Sequence, residues 1–145
     1  MTLSIYVASS WRNPIQPKLV TDLRCEGFEV YDFKDAEGFS WKDIDPEWLA
    51  WDAGEFRYAL SNPLANKGFK SDMDALGSCD VCILALPCGK SAHLELGWAV
   101  AAKKKTIVYY PPEIPQQEPE LMYKMCDRMC LSWEELLKEL KRWSK

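Results

Sequence analysis

The chain has 145 residues, of which 48% are hydrophobic, and a formal net charge of −4. These values predict one globular domain over residues 1–145, with a core that needs no disulfide or metal to hold it. The acidic balance argues against nucleic acid as a partner, and no apolar run is long enough to span a membrane. The first residues are typical of a strand and not of a secretion signal, so we expect a cytoplasmic protein with reduced thiols.

The spacing of apolar residues predicts strands that alternate with helices. Strands are expected at residues 3–8, 28–33, 81–86 and 106–110, with a weaker one at 129–131. Helices are expected at 14–25, 53–62, 64–78, 91–104 and 133–143, the last of which begins with a capping box from Ser132 to Glu135. The alternation predicts an α/β fold: a doubly wound, Rossmann- or flavodoxin-like, mainly parallel sheet of four to five strands with helices on both faces.

The carboxyl ends of such strands are where a ligand is expected, at the point where the strand order reverses. Two polar loops fall there, Ser-Ser-Trp-Arg-Asn at 9–13 and Cys-Gly-Lys-Ser at 88–91. No dinucleotide or Walker motif is present, and we expect no cofactor. We interpret the six cysteines mainly as small buried side chains, because a zinc site at Cys79 and Cys82 would need two more ligands at similar spacing.

Glu95 is the first candidate catalytic residue. It lies in the segment Leu-Pro-Cys-Gly-Lys-Ser-Ala-His-Leu-Glu-Leu-Gly-Trp at 86–98, where Pro87 and Gly89 end a buried strand and Ser91 is the predicted N-cap of a helix. Glu95 then falls in the first turn of that helix, half-buried and favoured as an anion by the helix dipole. Such a carboxylate suits a glycosyl-transferring nucleophile. The alternative is a glutamate that only interacts with the dipole.

A second acid is predicted on the helix at 64–78. Its buried stripe is expected to consist of Phe69, Met73 and Leu76. With this face of the helix buried, Asp72 lies at the edge of the stripe and Asp74 faces water. Asp72 is therefore the predicted partner of Glu95 in acid–base chemistry. His93 points away from Glu95 on its own helix, which makes it a packing or surface residue and disfavours a nucleophile paired with histidine.

Three segments resemble the nucleoside 2-deoxyribosyltransferase superfamily, which includes N-glycosidases of nucleoside monophosphates. They are Ile-Tyr-Val-Ala-Ser-Ser-Trp-Arg at 5–12, Ser-Asp-Met-Asp-Ala-Leu-Gly-Ser-Cys-Asp at 71–80 and Leu-Glu-Leu-Gly at 94–97, the most specific of the three. The resemblance implies that Glu95 attacks C1′ of a nucleoside or nucleotide, that Asp72 assists proton transfer, and that Tyr6 belongs to the catalytic pocket. It also implies a homo-oligomer, a dimer or larger.

The same resemblance suggests which residues bind substrate. The transferases have an aspartate six residues before the nucleophile, where this chain has Gly89. The nucleotide hydrolases have small and hydroxyl residues there that hold a 5′-phosphate. The expected substrate-binding residues are therefore Ser9, Ser10, Arg12, Gly89 and Ser91, together with Trp41. Trp41 belongs to a tryptophan-rich loop at 41–51 without a clear counterpart in the family; it would stack on the base, unless the loop only packs on its own domain.

Two functions from different classes follow. The first is cleavage or exchange of an N-glycosidic bond through a covalent glycosyl-glutamate, with a small nucleoside or nucleotide as the partner. The alternative is a non-catalytic nucleotide-binding sensor or partner protein on the same fold, because a fold does not determine a function. The presence of both Asp72 and Glu95 favours the enzyme, since a binding protein gains nothing from a carboxylate beside an anionic ligand.

Overall fold

The computed structural model describes residues 2–35 and 38–145. The chain forms two compact units, one made of residues 1–32 and 76–145 and the other of residues 33–75. The first unit contains the β-sheet, and the second is built from helices and an aromatic loop.

The sheet has five strands that are all parallel. They are β1 (Ser4–Ala8), β2 (Glu29–Tyr31), β3 (Val81–Ala85), β4 (Lys105–Tyr109) and β5 (Arg128–Cys130), in the spatial order β2-β1-β3-β4-β5. This confirms the predicted doubly wound fold. The chain moves from β1 outward to β2 and then returns to the other side of β1 at β3. The strand order therefore reverses between β1 and β3, which is where such sheets form a ligand crevice.

Five of the described α-helices agree with the prediction to within a few residues, whereas the short one at Trp41–Ile44 lies in the segment that was predicted as a loop. The α-helices are α1 (Gln16–Cys25), α2 (Trp41–Ile44), α3 (Ala53–Ala59), α4 (Pro63–Ser78), α5 (Lys90–Ala101) and α6 (Trp133–Trp143), with short 3₁₀ helices at Trp48–Ala50 and Leu121–Met125. Across residues 2–35 and 38–145, no helix combines the length and the apolar character that crossing a bilayer requires.

The two faces of the sheet are covered by different helices. Ile5 and Val7 of β1 belong to a buried cluster with α1 and α6, to which Leu23 and Leu136 also contribute. Successive side chains of a strand point to opposite faces, so Tyr6 lies on the other face. That face is covered by α5, which packs on β1, β3 and β4 and buries Ala92, Leu96 and Ala99. Tyr6 is thereby directed toward the helix that carries Glu95.

One predicted core residue is wrong. Phe69 is 69% exposed, whereas Leu76 is fully buried. The expected stripe assumed that α4 packs in the same way along its whole length. Leu76 belongs to the unit that contains the sheet and Phe69 belongs to the other unit, so the two residues are not parts of one buried stripe.

Candidate functional site

Tyr6 and Glu95 form a hydrogen-bonded pair between the sheet and α5. The hydroxyl of Tyr6 donates to Oε2 of Glu95, and the Tyr6 ring stacks on Tyr31 of β2 with 5.3 Å between ring centroids. Tyr6 is almost completely buried, and Glu95 is half-buried as the sequence predicts. A rigid, buried donor thus holds one oxygen of a partly accessible carboxylate and orients the group.

The start of α5 differs from the prediction. Its N-cap is Gly89 and not Ser91; the helix begins at Lys90, so Glu95 lies in the second turn and not the first. Gly89 already has the extended backbone of a cap residue (φ −100°, ψ −152°), which ends the loop two residues earlier than the side-chain preference of Ser91 suggests. Ser91 is an exposed residue of the first turn.

Gly89 leaves the beginning of α5 open. The N-cap Gly89 has no side chain to cap this helix end, and a Cβ added there would have no heavy atom of the described residues within 4 Å apart from its chain neighbours and the nearby helix backbone. Backbone N–H groups at an uncapped helix N-terminus attract anions, helped by the helix dipole. The turn therefore offers both the donors and the room for an anionic group.

The loop after β1 is hydrogen-bonded to the end of β3. Ser9 Oγ donates to the carbonyl of Ala85 (3.0 Å) and accepts from Nδ2 of Asn13 (2.8 Å). Asn13 Nδ2 also lies within hydrogen-bond distance of the carbonyls of Ala85 and Pro87. The first predicted polar loop is therefore joined to the last residue of β3 and to Pro87, which precedes the second predicted loop at 88–91. The Ser9 hydroxyl is used inside this network, and its contact with substrate stays a prediction.

Ser10 and Arg12 lie in the same loop. The Ser10 hydroxyl oxygen accepts from the backbone N–H of Arg12 (3.2 Å), which leaves its own O–H as a donor. The Arg12 side chain is exposed. Both residues thus stand on a loop whose position relative to the end of β3 is determined by Ser9 and Asn13.

His93 bridges two segments of the sheet unit. Its Nδ1 lies 2.7 Å from the carbonyl of Gly89, and its Nε2 lies 2.8 Å from the hydroxyl of Tyr123. A carbonyl only accepts, so Nδ1 carries a proton in this contact, and the second ring nitrogen shares a hydrogen bond with the hydroxyl of Tyr123. The sequence prediction of a packing residue agrees with this arrangement. Tyr123 was missed, because nothing in its local pattern connects it to a residue 30 positions away.

Cys88 is not an activated nucleophile. Its Sγ lies 3.9 Å from Nδ1 of His93, but that nitrogen is hydrogen-bonded to Gly89. Burial raises the pKa of the Cys88 thiol to about 12, and the nearby charge of Glu95 adds to the rise. A thiol with this pKa stays protonated near neutral pH, which agrees with the rejection of a cysteine–histidine pair from the sequence.

Asp72 and Asp74 lie on α4 and differ in exposure. Asp72 is half-buried, whereas Asp74 is exposed and forms an ion pair with Lys70 at 2.5 Å. The predicted difference between the two aspartates is therefore confirmed. The catalytic role of Asp72 stays a prediction.

Trp41 is the centre of an aromatic cluster in the second unit. Its ring meets Phe39, Trp51 and Phe56 edge-on, with centroid distances of 4.7 to 5.8 Å. Trp51 is held in turn by a hydrogen bond from its Nε1 to Asp45 (2.8 Å). The loop thus packs within its own unit, which was the alternative to a stacking role for Trp41; stacking of Trp41 on a base stays a prediction.

The cysteines are distributed between core and surface. Cys79, Cys82 and Cys130 are buried, Cys88 and Cys126 are intermediate, and Cys25 is exposed. In the part of the chain that the structure describes, no three histidine, cysteine or acidic residues are grouped so that they could hold a metal ion.

Solved structures share this fold, although no protein-family model matches the sequence and curated proteins give no sequence match. The 2-deoxyribosyltransferase of Bacillus psychrosaccharolyticus is similar over 92% of this chain and 89% of its own, with a TM-score of 0.62 and 18% identity. The CMP N-glycosidase of Clostridium botulinum is similar over 95% and 98%, with a TM-score of 0.52 and 19% identity. A conserved protein of Enterococcus faecalis covers 98% and 99%, with a TM-score of 0.66 and 16% identity.

These likenesses establish the fold. The chain shares its doubly wound architecture with a 2-deoxyribosyltransferase and with a CMP N-glycosidase.

Proposed function

We propose that this protein cleaves or exchanges the N-glycosidic bond of a small nucleoside or nucleotide. The observation that carries the proposal is the buried Tyr6 hydroxyl bound to the half-buried carboxylate of Glu95, on a helix that packs on both β1 and β3. Two proteins of the same fold support it, since one is a 2-deoxyribosyltransferase and the other a CMP N-glycosidase.

Glu95 acts as the nucleophile in this proposal. A lone pair of its carboxylate forms a bond to C1′ while the C1′–N bond breaks and its electron pair leaves with the base. Asp72 donates the proton that the departing base takes up. Water or a second base then attacks C1′, the ester bond breaks, the carboxylate is regenerated, and Asp72 recovers a proton from the attacking group. Tyr6 keeps the carboxylate oriented in both steps.

Free base is the product that tests this function. The protein is incubated with ribo- and deoxyribonucleosides and their 5′-monophosphates, and released base is followed by chromatography with and without a second base. Release into water indicates a hydrolase, and exchange of bases indicates a transferase. Binding of a nucleotide without either reaction would contradict the proposal and favour the nucleotide-binding sensor.

A 5′-phosphate is proposed to bind at the loop after β1 and the beginning of α5. Arg12 supplies a cation and Ser10 a hydroxyl, while Gly89 leaves the N–H groups of α5 accessible. The hydrogen bonds of Ser9 and Asn13 to Ala85 keep the two loops next to each other. Cationic and helix-terminal donors together are a common way of holding phosphate.

Arg12→Ala is expected to weaken a nucleoside monophosphate by about ten- to a hundredfold. A charge-assisted hydrogen bond contributes roughly 1.5–3 kcal/mol, and about 1.4 kcal/mol corresponds to a factor of ten. Because the side chain is exposed, its removal should hardly change stability. Dissociation constants of the monophosphate and of the matching nucleoside, measured at one ionic strength, check the prediction.

The control is Arg57→Ala, which removes the same charge from an exposed position at the end of α3. It should leave both dissociation constants unchanged. Equal losses for the phosphorylated and unphosphorylated ligands in Arg12→Ala would mean that Arg12 supports the loop or the sugar and does not contact the phosphate.

Tyr6→Phe is expected to slow base release by about ten- to a hundredfold. Phenylalanine keeps the ring that stacks on Tyr31 but removes the hydroxyl that donates to Glu95, and hydrogen bonds to charged groups are worth roughly 1.5–3 kcal/mol. The measurement is kcat, with a melting curve to show that the fold persists. Tyr58→Phe makes the same chemical change at a highly exposed position and is the control. A folded Tyr6→Phe protein with the wild-type kcat would exclude a catalytic role for the Tyr6 hydroxyl.

A further inference from the structure

We propose that Asn13 is the positioning residue that holds the two proposed phosphate-binding loops in their productive arrangement. The inference rests on the proposed function and adds a residue to it. Asn13 is 3% exposed although it lies in a polar loop at the protein surface, and each end of its amide is hydrogen-bonded to a different part of the chain.

The nitrogen of the amide connects the two loops. Nδ2 lies 2.8 Å from Ser9 Oγ, 2.9 Å from the Ala85 carbonyl and 3.2 Å from the Pro87 carbonyl. Two N–H groups thus serve three acceptors: one in the loop after β1, one on the last residue of β3 and one in the segment that follows β3. Buried carbonyls without a donor are costly, so these contacts tie the end of β3 to Asn13.

The oxygen of the amide determines which way the side chain faces. Oδ1 accepts from the backbone N–H groups of Ile15 (2.8 Å) and Gln16 (3.0 Å), where the chain enters α1. Rotating the amide by half a turn would place its nitrogen against donors and its oxygen against carbonyls. Asn13 therefore has one hydrogen-bonded orientation, and α1 holds it there.

The position of Asn13 explains what it does for a ligand. Arg12 is its immediate neighbour, and Gly89 follows Pro87 by two residues, so both ends of the proposed phosphate site are attached to this one amide. Loops held in place before binding need not be ordered by the ligand, which improves affinity. Tyr6 and Glu95 lie on β1 and α5, and their hydrogen bond does not involve Asn13. Loss of the Asn13 contacts should therefore affect KM more than kcat.

Asn13→Asp tests the proposal. Aspartate keeps an oxygen for the N–H groups of Ile15 and Gln16 but replaces the donating nitrogen with an acceptor that faces two carbonyls. We expect KM and the dissociation constant of a nucleoside monophosphate to rise roughly ten- to a hundredfold, and kcat to fall less than about threefold. Amide hydrogen exchange of residues 10–12 and 88–91 should accelerate at least about tenfold.

Two further variants keep the test decisive. Asn13→Ser retains a short capping oxygen and cannot span to Pro87, so it should give the same KM effect if the aspartate variant does not fold. Asn66→Asp makes the same chemical change at an exposed position of α4 and should change none of these quantities.

Hydrogen exchange separates this proposal from the proposed function. If the wild-type protein releases no base, the proposed function fails, while faster exchange in both loops of a folded Asn13 variant still supports the positioning role. Unchanged exchange in both loops would overturn it. So would a loss confined to kcat, because that would connect Asn13 with the chemical step.

Discussion

Replacing Glu95 with glutamine is expected to reduce base release by about a thousandfold or more while the protein stays folded. The amide has nearly the shape of the carboxylate but is not a nucleophile, and removing a covalent nucleophile typically causes losses of this size or larger. Its oxygen still accepts the hydroxyl of Tyr6, so the buried tyrosine keeps that partner. Initial rates of base release and thermal melting of the same preparation check both parts.

Glu95→Ala should be less stable than Glu95→Gln. The alanine variant removes the acceptor of the almost completely buried Tyr6 hydroxyl, and loss of a buried partner costs about 1–3 kcal/mol. The control is Glu134→Gln on α6, at an exposed site on the helix that covers the other face of the sheet. Near-wild-type turnover in a folded Glu95→Gln protein would exclude Glu95 as the nucleophile.

A quenched reaction supplies a second measurement. Intact-protein mass spectrometry of the wild type should detect a species heavier by one glycosyl group, and this species should be missing from Glu95→Gln. A wild-type protein that releases base without such a species, at any quench time, would favour direct attack by water over the ester.

The three central strands of the sheet, β1, β3 and β4, could be predicted because they are largely buried on both faces. The apolar run at β3 and the alternation of apolar and polar residues at 28–33, around β2, identify strands without knowledge of their neighbours. The N-cap of α6 could also be predicted, since Ser132 accepts from the N–H of Glu135 within one turn. The carboxylate of Glu135 accepts from the backbone N–H of Leu131 (2.7 Å), one residue before the N-cap Ser132 that a capping box would use.

The candidate site was less predictable, because its contacts join distant parts of the chain. Tyr6 and Glu95 are 89 positions apart, and Asn13 and Ala85 are 72 apart. Periodicity can place each residue on an element but does not state which polar atoms meet. Tyr6 was therefore inferred only from the family resemblance, and Asn13 was not inferred as a functional residue at all.

The predicted start of α5 was wrong because the N-cap is Gly89 and not Ser91. Ser91 has the better capping side chain, but an N-cap also needs non-helical backbone, and Gly89 adopts it two residues earlier. The correction moves Glu95 away from the helix terminus and weakens the alternative in which it only interacts with the dipole, because that interaction falls off within the first turn. The hydrogen bond from Tyr6 orients Glu95 in its place in the second turn.

Asp72→Asn is expected to slow base release by about a hundred- to ten-thousandfold with little change in substrate affinity. Asparagine keeps the size and the hydrogen-bonding capacity of the side chain but cannot give up and recover a proton, and general acid–base catalysis contributes about this much. Single-turnover rates together with dissociation constants check the split between chemistry and binding.

Asp74→Asn is the matched control, two residues away on the same helix. Asp74 is exposed and forms an ion pair across the helix surface with Lys70, and such pairs contribute at most about 1 kcal/mol to stability. Its rate of base release should equal that of the wild type.

The leaving group offers a further distinction. Release of a base that departs readily without protonation should slow much less in Asp72→Asn than release of a base that must be protonated. Equal losses for both bases, or a larger loss in Asp74→Asn, would rule out Asp72 as the proton donor.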